Sequence, residues 1–180
     1  MMRLLPLFLA LWIGPALAEE VAICYNYSCS AQAAVALSEA RMREFEPLFR
    51  ELPNAAAERV AIAWAIGMFE TSAGEQTPTH RDRGGNLNDD ELNGRMDCID
   101  HAHNTTAYLR LLEARGWLKF HRVMEPAKRA PLLLNEHWSA HIGEIAGTRE
   151  FVVDSWFFDN GLPAAIYNIE EWRNGASPNV

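Results

Sequence analysis

Three side chains of complementary chemistry, Cys98, His137 and Asp154, follow one another in the C-terminal half of the sequence as thiol, imidazole and carboxylate. Cys98 follows Asp97 and opens a helical pattern, so its sulfur is expected at a helix start, where free backbone N–H groups and the positive end of the helix dipole favour thiolate. A free cysteine titrates at about 8.5, and such a placement helps make it a nucleophile at neutral pH. The carboxylates of Asp97 and Asp100 oppose that charge, so a cationic partner is required, and His137 is the candidate. It begins the alternating segment His137-Trp138-Ser139-Ala140-His141-Ile142, in which His137, Ser139 and His141 share one strand face. In the next segment Val152, Asp154 and Trp156 share a face. A hairpin closing through Ala146-Gly147 sets His137 opposite Trp156 with Asp154 one diagonal step away, whereas one residue of slip sends them to opposite faces. In the first register Asp154 holds the imidazole tautomer and His137 ionises Cys98, a Cys-His-Asp arrangement suited to acyl transfer.

The elements that must position these groups are read from periodicity and breakers. Ser30 to Leu52 carries Val35, Leu37, Met42, Phe45, Leu48 and Phe49 at helical spacing, and Pro53-Asn54 interrupts it. A second helix is predicted from Ala55 to Glu70, with Val60, Trp64 and Met68 at four-residue intervals. Thr71 to Arg95 is rich in Gly, Asn, Asp, Thr and Pro and reads as a long surface loop leading to Cys98. Asp97 is the expected N-cap of the third helix, Asp100 completes a capping arrangement, and Gly116 ends the helix. Strands are predicted over Trp117–Met124, Glu136–Ile145 and Glu150–Phe157, with an edge strand over Pro163–Ile169 and a last helical turn near Glu170–Trp172. Helices first and an antiparallel sheet after them predict an α+β domain in which the Cys-bearing helix packs on the sheet.

Composition bounds the setting. The chain has 180 residues, 24 acidic against 16 basic side chains, and a net charge of -8. Such a surface repels phosphate backbones and anionic headgroups on average, which argues against nucleic-acid or membrane-surface binding. Residues 1–18 place Arg3 before an apolar run and end in Ala16-Leu17-Ala18, the layout of a cleavable secretory signal, leaving 19–180 as one domain. The apolar run is shorter than the roughly 18 to 20 residues that cross a bilayer, and no later stretch is long enough, so a periplasmic location without a membrane span is expected. An oxidising compartment allows Cys24 and Cys29 to close a small loop, a pairing the sequence leaves open, and Cys98 is then the odd thiol, either functional or buried and inert.

The run Asp97-Cys98-Ile99-Asp100-His101-Ala102, the following Tyr108-Leu109-Arg110-Leu111-Leu112 and Gly116, and His121-Arg122-Val123 resemble the nucleophile helix and next strand of transglutaminase-like cysteine peptidases. His137-Trp138 and Val153-Asp154-Ser155-Trp156 resemble the blocks that supply that superfamily's histidine and aspartate, and the likeness covers Asp97 to Phe157, about a third of the chain. The family often separates the histidine from the following aromatic by one residue, whereas Trp138 is adjacent here. The resemblance implies a papain-like, transglutaminase-like core and a peptidase or amidase acting on a peptide, protein or amide substrate in the cell envelope, with no organic cofactor. Water would resolve the thioester in a hydrolase and an amine in a transglutaminase, with hydrolysis preferred. The Cys98 N–H is the expected first oxyanion donor, and Gln76, Asn86, Asn88 and Asn93 are open candidates for the second.

Other chemistries compete for the same residues. Cys98, His101, His103, His137 and His141 are zinc-ligand types, but His137 and His141 would lie about 13 Å apart along a strand. Asp89-Asp90-Glu91 with Asp97 and Asp100 lack an EF-hand spacing for calcium. A catalytically inactive binding or envelope-assembly module that keeps the fold, with Trp138 and Trp156 as core, is the alternative of a different class.

Overall fold

The computed structural model describes residues 18–85, 93–130 and 136–178. The expected signal lies, except for Ala18, outside the described residues. Among them no helix is long and apolar enough to cross a membrane.

The chain is α+β, with its first elements forming a hairpin rather than a helix. Strands β1 (Glu19–Tyr25) and β2 (Ala31–Leu37) pair antiparallel, with Val21 opposite Val35 and Ile23 opposite Ala33. This corrects the helix expected over Ser30–Leu52. The Ala-rich composition favours helix intrinsically, but Val35 and Leu37 also alternate, and burying them beside Val21 and Ile23 overrides propensity. Helix begins only at α1 (Glu39–Phe45), capped by the Ser38 hydroxyl on the Arg41 N–H, and tightens into a 3-10 turn over Glu46–Phe49.

Helix α2 (Ala55–Gly74) starts at an Asn54 cap and runs one turn past the predicted end at Glu70. Thr71 and Ser72 do not stop it because their hydroxyls donate to the Gly67 and Met68 carbonyls, four residues back. The expected loop therefore begins later and contains a 3-10 turn at Pro78–Arg81.

Helix α3 (Cys98–Ala114) carries a full capping box: Asp97 accepts from the Ile99 and Asp100 N–H groups, and Asp100 accepts from the Asp97 N–H. Its other end turns over Gly116, at φ 67°, with the Trp117 N–H on the Leu112 carbonyl and the Gly116 N–H on that of Glu113.

The remaining strands form a meander in the order β3 (His121–Arg129), β4 (His137–Glu144), β5 (Glu150–Asp154) and β6 (Ala165–Asn168), all antiparallel, followed by α4 (Ile169–Arg173). Strand β3 starts later than predicted because the buried Glu58 carboxylate takes the N–H groups of Lys119, Phe120 and His121. It continues past Met124 by a register shift between Met124 and Ala127, which accommodates Pro126 and its missing N–H. The predicted strand over Glu150–Phe157 stops at Asp154.

Helix α3 packs against β1 on one side and β3 and β4 on the other. Around it one core runs from Val21, Ile23 and Val35 through Phe45, Phe69 and Tyr108 to Ile142 and Val153. The Phe69 and Tyr108 rings stack at 4.8 Å, fixing α2 against α3.

Candidate active site

Cys98 is the first residue of α3, partly exposed and free, while the other two cysteines, Cys24 and Cys29, are joined in a disulfide. Asp97 caps the N–H groups of Ile99 and Asp100, leaving that of Cys98 outside the capping box. The sulfur thus sits at the positive end of a 17-residue helix.

The two carboxylates that flank it hold the disulfide loop. Residues Asn26, Tyr27, Ser28 and Cys29 all have left-handed backbone, with φ of 65°, 64°, 52° and 57°. That unusual run turns successive N–H groups toward the start of α3, as in an anion-binding nest. The Tyr27 and Cys29 N–H groups donate to Asp100 at 2.8 and 2.6 Å, and the Ser28 N–H donates to Asp97 at 2.8 Å. Burial pushes the Asp100 carboxyl up, the Cys29 N–H opposes that, and the Asp97 charge adds to it. The backbone N–H groups on the two carboxylates offset their negative charge beside the thiol.

His137 opens β4 and Asp154 closes β5. The β4–β5 register pairs Ala140 with Val153 and Gly143 with Glu150, which places His137 across from Trp156 on the face that also carries Asp154. The turn spans Ile145–Thr148 rather than two residues, but it is centred on Ala146-Gly147, so the register is unchanged. The His137 Nε2 donates to Asp154 Oδ2 at 2.7 Å, and the Trp172 indole N–H donates to the same oxygen at 3.0 Å. With Nε2 engaged by Asp154, Nδ1 is the other ring nitrogen, and the Cys98 thiol lies near enough to influence the charge of the imidazole. Burial pulls the imidazolium down, but the Asp154 hydrogen bond and then the Cys98 contact outweigh it and push His137 up to about 9. Three rings enclose the imidazole, with centroids 5.0 Å away for Trp156, 5.6 Å for Phe157 and 5.8 Å for Trp172.

A second buried polar group lies one turn along α3. His101 Nε2 bonds Asp82 at 2.9 Å, its Nδ1 bonds the Ser155 hydroxyl at 2.8 Å, and Glu70 lies 3.6 Å from Nδ1. The Asp82–Gly85 segment is thereby tied to the chain just after Asp154, and the Gly85 N–H also donates to the Trp156 carbonyl. Gly84 is needed there, since a Cβ would come within 2.3 Å of the Phe157 carbonyl oxygen.

The structure thus brings Cys98, His137 and Asp154 together, and it separates the other candidates. His141 bonds the Glu125 carbonyl and the Glu150 carboxylate, His101 is held as described, and His103 is exposed, so the zinc set does not converge. The sole group of metal-ligand type within reach of itself, among the described residues, is Cys24, Cys29 and Asp100, whose two sulfurs are bonded to each other. Asp97 and Asp100 are occupied by backbone donors, and Asp89-Asp90-Glu91 lie outside the described residues. Gln76 is not near the thiol chemistry, because its amide bridges Ala36 of β2 to Ser72 of α2. The Asn93 carbonyl oxygen accepts from Asn26, and Asn86 and Asn88 lie outside the described residues.

Trp172 was not anticipated as a partner of Asp154. It sits in a short helix whose sequence shows only a final turn, and Arg129 pins that helix by donating to the Trp172 and Ala176 carbonyls. The signal available for the His101 group was Glu70, an acidic residue in a largely apolar helix. No protein-family model, curated protein or solved structure matches this chain.

Proposed function

We propose that this chain is an exported, periplasmic thiol hydrolase, a peptidase or amidase with a papain-like, transglutaminase-like core. The observation that carries the proposal is an imidazole held by Asp154 at 2.7 Å through Nε2, beside the free Cys98 thiol at the start of α3. In the mechanism His137 takes the thiol proton, and the Cys98 sulfur attacks a peptide or amide carbonyl to give a tetrahedral oxyanion. The Cys98 N–H at the helix start serves as the first donor to that oxygen. His137 then protonates the leaving amine, and water attacks the thioester with His137 as base, releasing the acid and restoring the thiol. An amine in place of water would give transamidation from the same intermediate. The Cys24–Cys29 disulfide accords with an oxidising compartment.

The inactive-module alternative has one observation on its side, the enclosure of His137 by three rings with 7% of its surface exposed. Alkylation of the folded protein, with and without a chelator, separates the readings. Fast labelling confined to Cys98, lost in His137→Ala and indifferent to chelator, is the expected result. On a verified amide substrate Cys98→Ser and His137→Ala are each expected to lower turnover by on the order of 10³-fold or more. Wild-type turnover in both variants would overturn the proposal, and slow labelling of wild type would favour the inactive module.

A further inference from the structure

Ile99 follows the nucleophile directly and is 40% exposed, although it belongs to a helix that otherwise buries its apolar side chains well. With Ala102 and His103 it forms an i, i+3, i+4 face of α3, and this face meets Pro126 at the β3 irregularity and Trp138 of β4 around a cavity of about 140 Å³. Cys98 and Ala102, four residues apart on α3, share a helix face, which sets the start of α3 and its thiol beside this cavity, whereas Trp138 and His137 point to opposite faces of β4. On the strand side, Lys128 and Glu136 pair at 2.5 Å, Lys128 lies over the Trp138 ring at 5.3 Å, and Glu136 accepts the indole N–H.

We infer that this cavity is the specificity pocket of the Cys98 site and takes one uncharged aliphatic or phenyl side chain next to the amide that is attacked. The inference rests on the hydrolase proposal. Its size fits, because an apolar protein cavity of about 150 Å³ accommodates a benzene ring. Its chemistry fits as well: Ile99, Ala102, Pro126 and Trp138, four of the five lining residues, are apolar. A bound apolar group would also cover Ile99 and the Trp138 face, two apolar surfaces that the fold itself leaves partly open.

The test is Cys98 alkylation by a series of chloroacetamides differing only in the N-substituent: methyl, isobutyl, benzyl and carboxymethyl, each rate divided by that with glutathione. The thiolate displaces chloride from the methylene carbon, forming a thioether, and the substituent sits one amide bond from the reacting carbon. Benzyl and isobutyl are expected to react at least about tenfold faster than methyl, and carboxymethyl slower than methyl. Ala102→Leu, which fills the cavity, is expected to erase the benzyl advantage, and Trp138→Ala, which opens its wall, to shift the preference toward naphthylmethyl. Fast, His137-dependent labelling with equal rates for methyl and benzyl would overturn the pocket and leave the hydrolase proposal standing. Labelling no faster than glutathione across the series would overturn the hydrolase proposal, and the pocket with it. Wild-type selectivity in both variants would overturn the assignment of these residues.

Discussion

Two buried histidines on opposite sides of the same junction, His101 and His137, have similar partners and different prospects. Each is bonded to an aspartate, His101 to Asp82 at 2.9 Å and His137 to Asp154 at 2.7 Å, and each is raised well above the ordinary imidazole range. The difference lies in the second ring nitrogen. That of His101 ends on the Ser155 hydroxyl with Glu70 behind it, and the residue is 2% exposed, so no reacting atom can approach. His137 gives only Nε2 to its aspartate and lies beside a free thiol at a partly exposed helix start. An ion pair with every position filled organises the fold, whereas one with a nitrogen facing a nucleophile can move a proton. His101 thus ties the Asp82–Gly85 segment to Ser155, immediately beyond Asp154, and fixes the ground on which His137 works.

The sharpest way to break the contrast is to neutralise each aspartate in turn. Asp154→Asn is expected to cost about 10³-fold in kcat, because an amide can hold the wrong tautomer and does not stabilise an imidazolium. Burial already pulls the His137 imidazolium down and the Asp154 hydrogen bond is the leading influence that lifts it to about 9, so the variant's alkaline limb should move to lower pH. A pH–rate profile checks this; an unmoved limb would mean that Asp154 does not govern His137.

Asp82→Asn is expected to act on stability instead, by about 3 to 5 kcal/mol, because it leaves a buried imidazolium short of a partner. Burial lowers the His101 imidazolium, but hydrogen bonds to Asp82 and then Glu70 outweigh it, giving a folded pKa of about 10 against an ordinary value of 6.5. The folded state therefore holds this proton more tightly than the unfolded chain. The corresponding stability is fully present below about pH 6.5 and is lost as pH rises through about 10. Urea unfolding at a series of pH values should show that decline in wild type and a shallower one in Asp82→Asn. A variant as stable as wild type at pH 6 would show that the His101 group does not hold the fold.

Legibility in the sequence follows the same divide between local and distant causes. The start of α3 was readable because Asp97 and Asp100 form a capping box within four residues, and its end because Gly116 supplies a left-handed turn. The His137–Asp154 relation was readable because strand alternation and the centre of a short turn determine register, and a turn of two or four residues about Ala146-Gly147 has the same centre. The N-terminal hairpin was not, since Ala31–Leu37 becomes a strand by pairing with β1, and its loop is shaped by Asp97 and Asp100, about 70 residues away. For the same reason Asp97 and Asp100 read as repulsive neighbours of the thiol, when their oxygens are largely taken by the loop's N–H groups. Trp172 was hidden in the same way: nothing in Ile169–Arg173 announces that its indole will reach Asp154.

That indole offers the finest test of the contrast, because it separates orientation from charge. Asp154 Oδ2 receives both the His137 and the Trp172 N–H, so Trp172 fixes the carboxylate in the plane from which it holds the imidazole. Trp172→Phe keeps most of the ring that packs on Val152 and Ile169 and deletes the donor. One lost hydrogen bond of about 1 kcal/mol corresponds to roughly a fivefold fall in kcat, with KM unchanged since the indole is fully buried behind the carboxylate. Asp154 retains its charge in this variant, so the alkaline limb should stay near its wild-type position, in contrast to Asp154→Asn. A fall in kcat with an unmoved limb would assign Trp172 a positioning role. Unaltered kcat would show that the sheet alone orients Asp154, and a rise in KM would place the indole in contact with substrate instead.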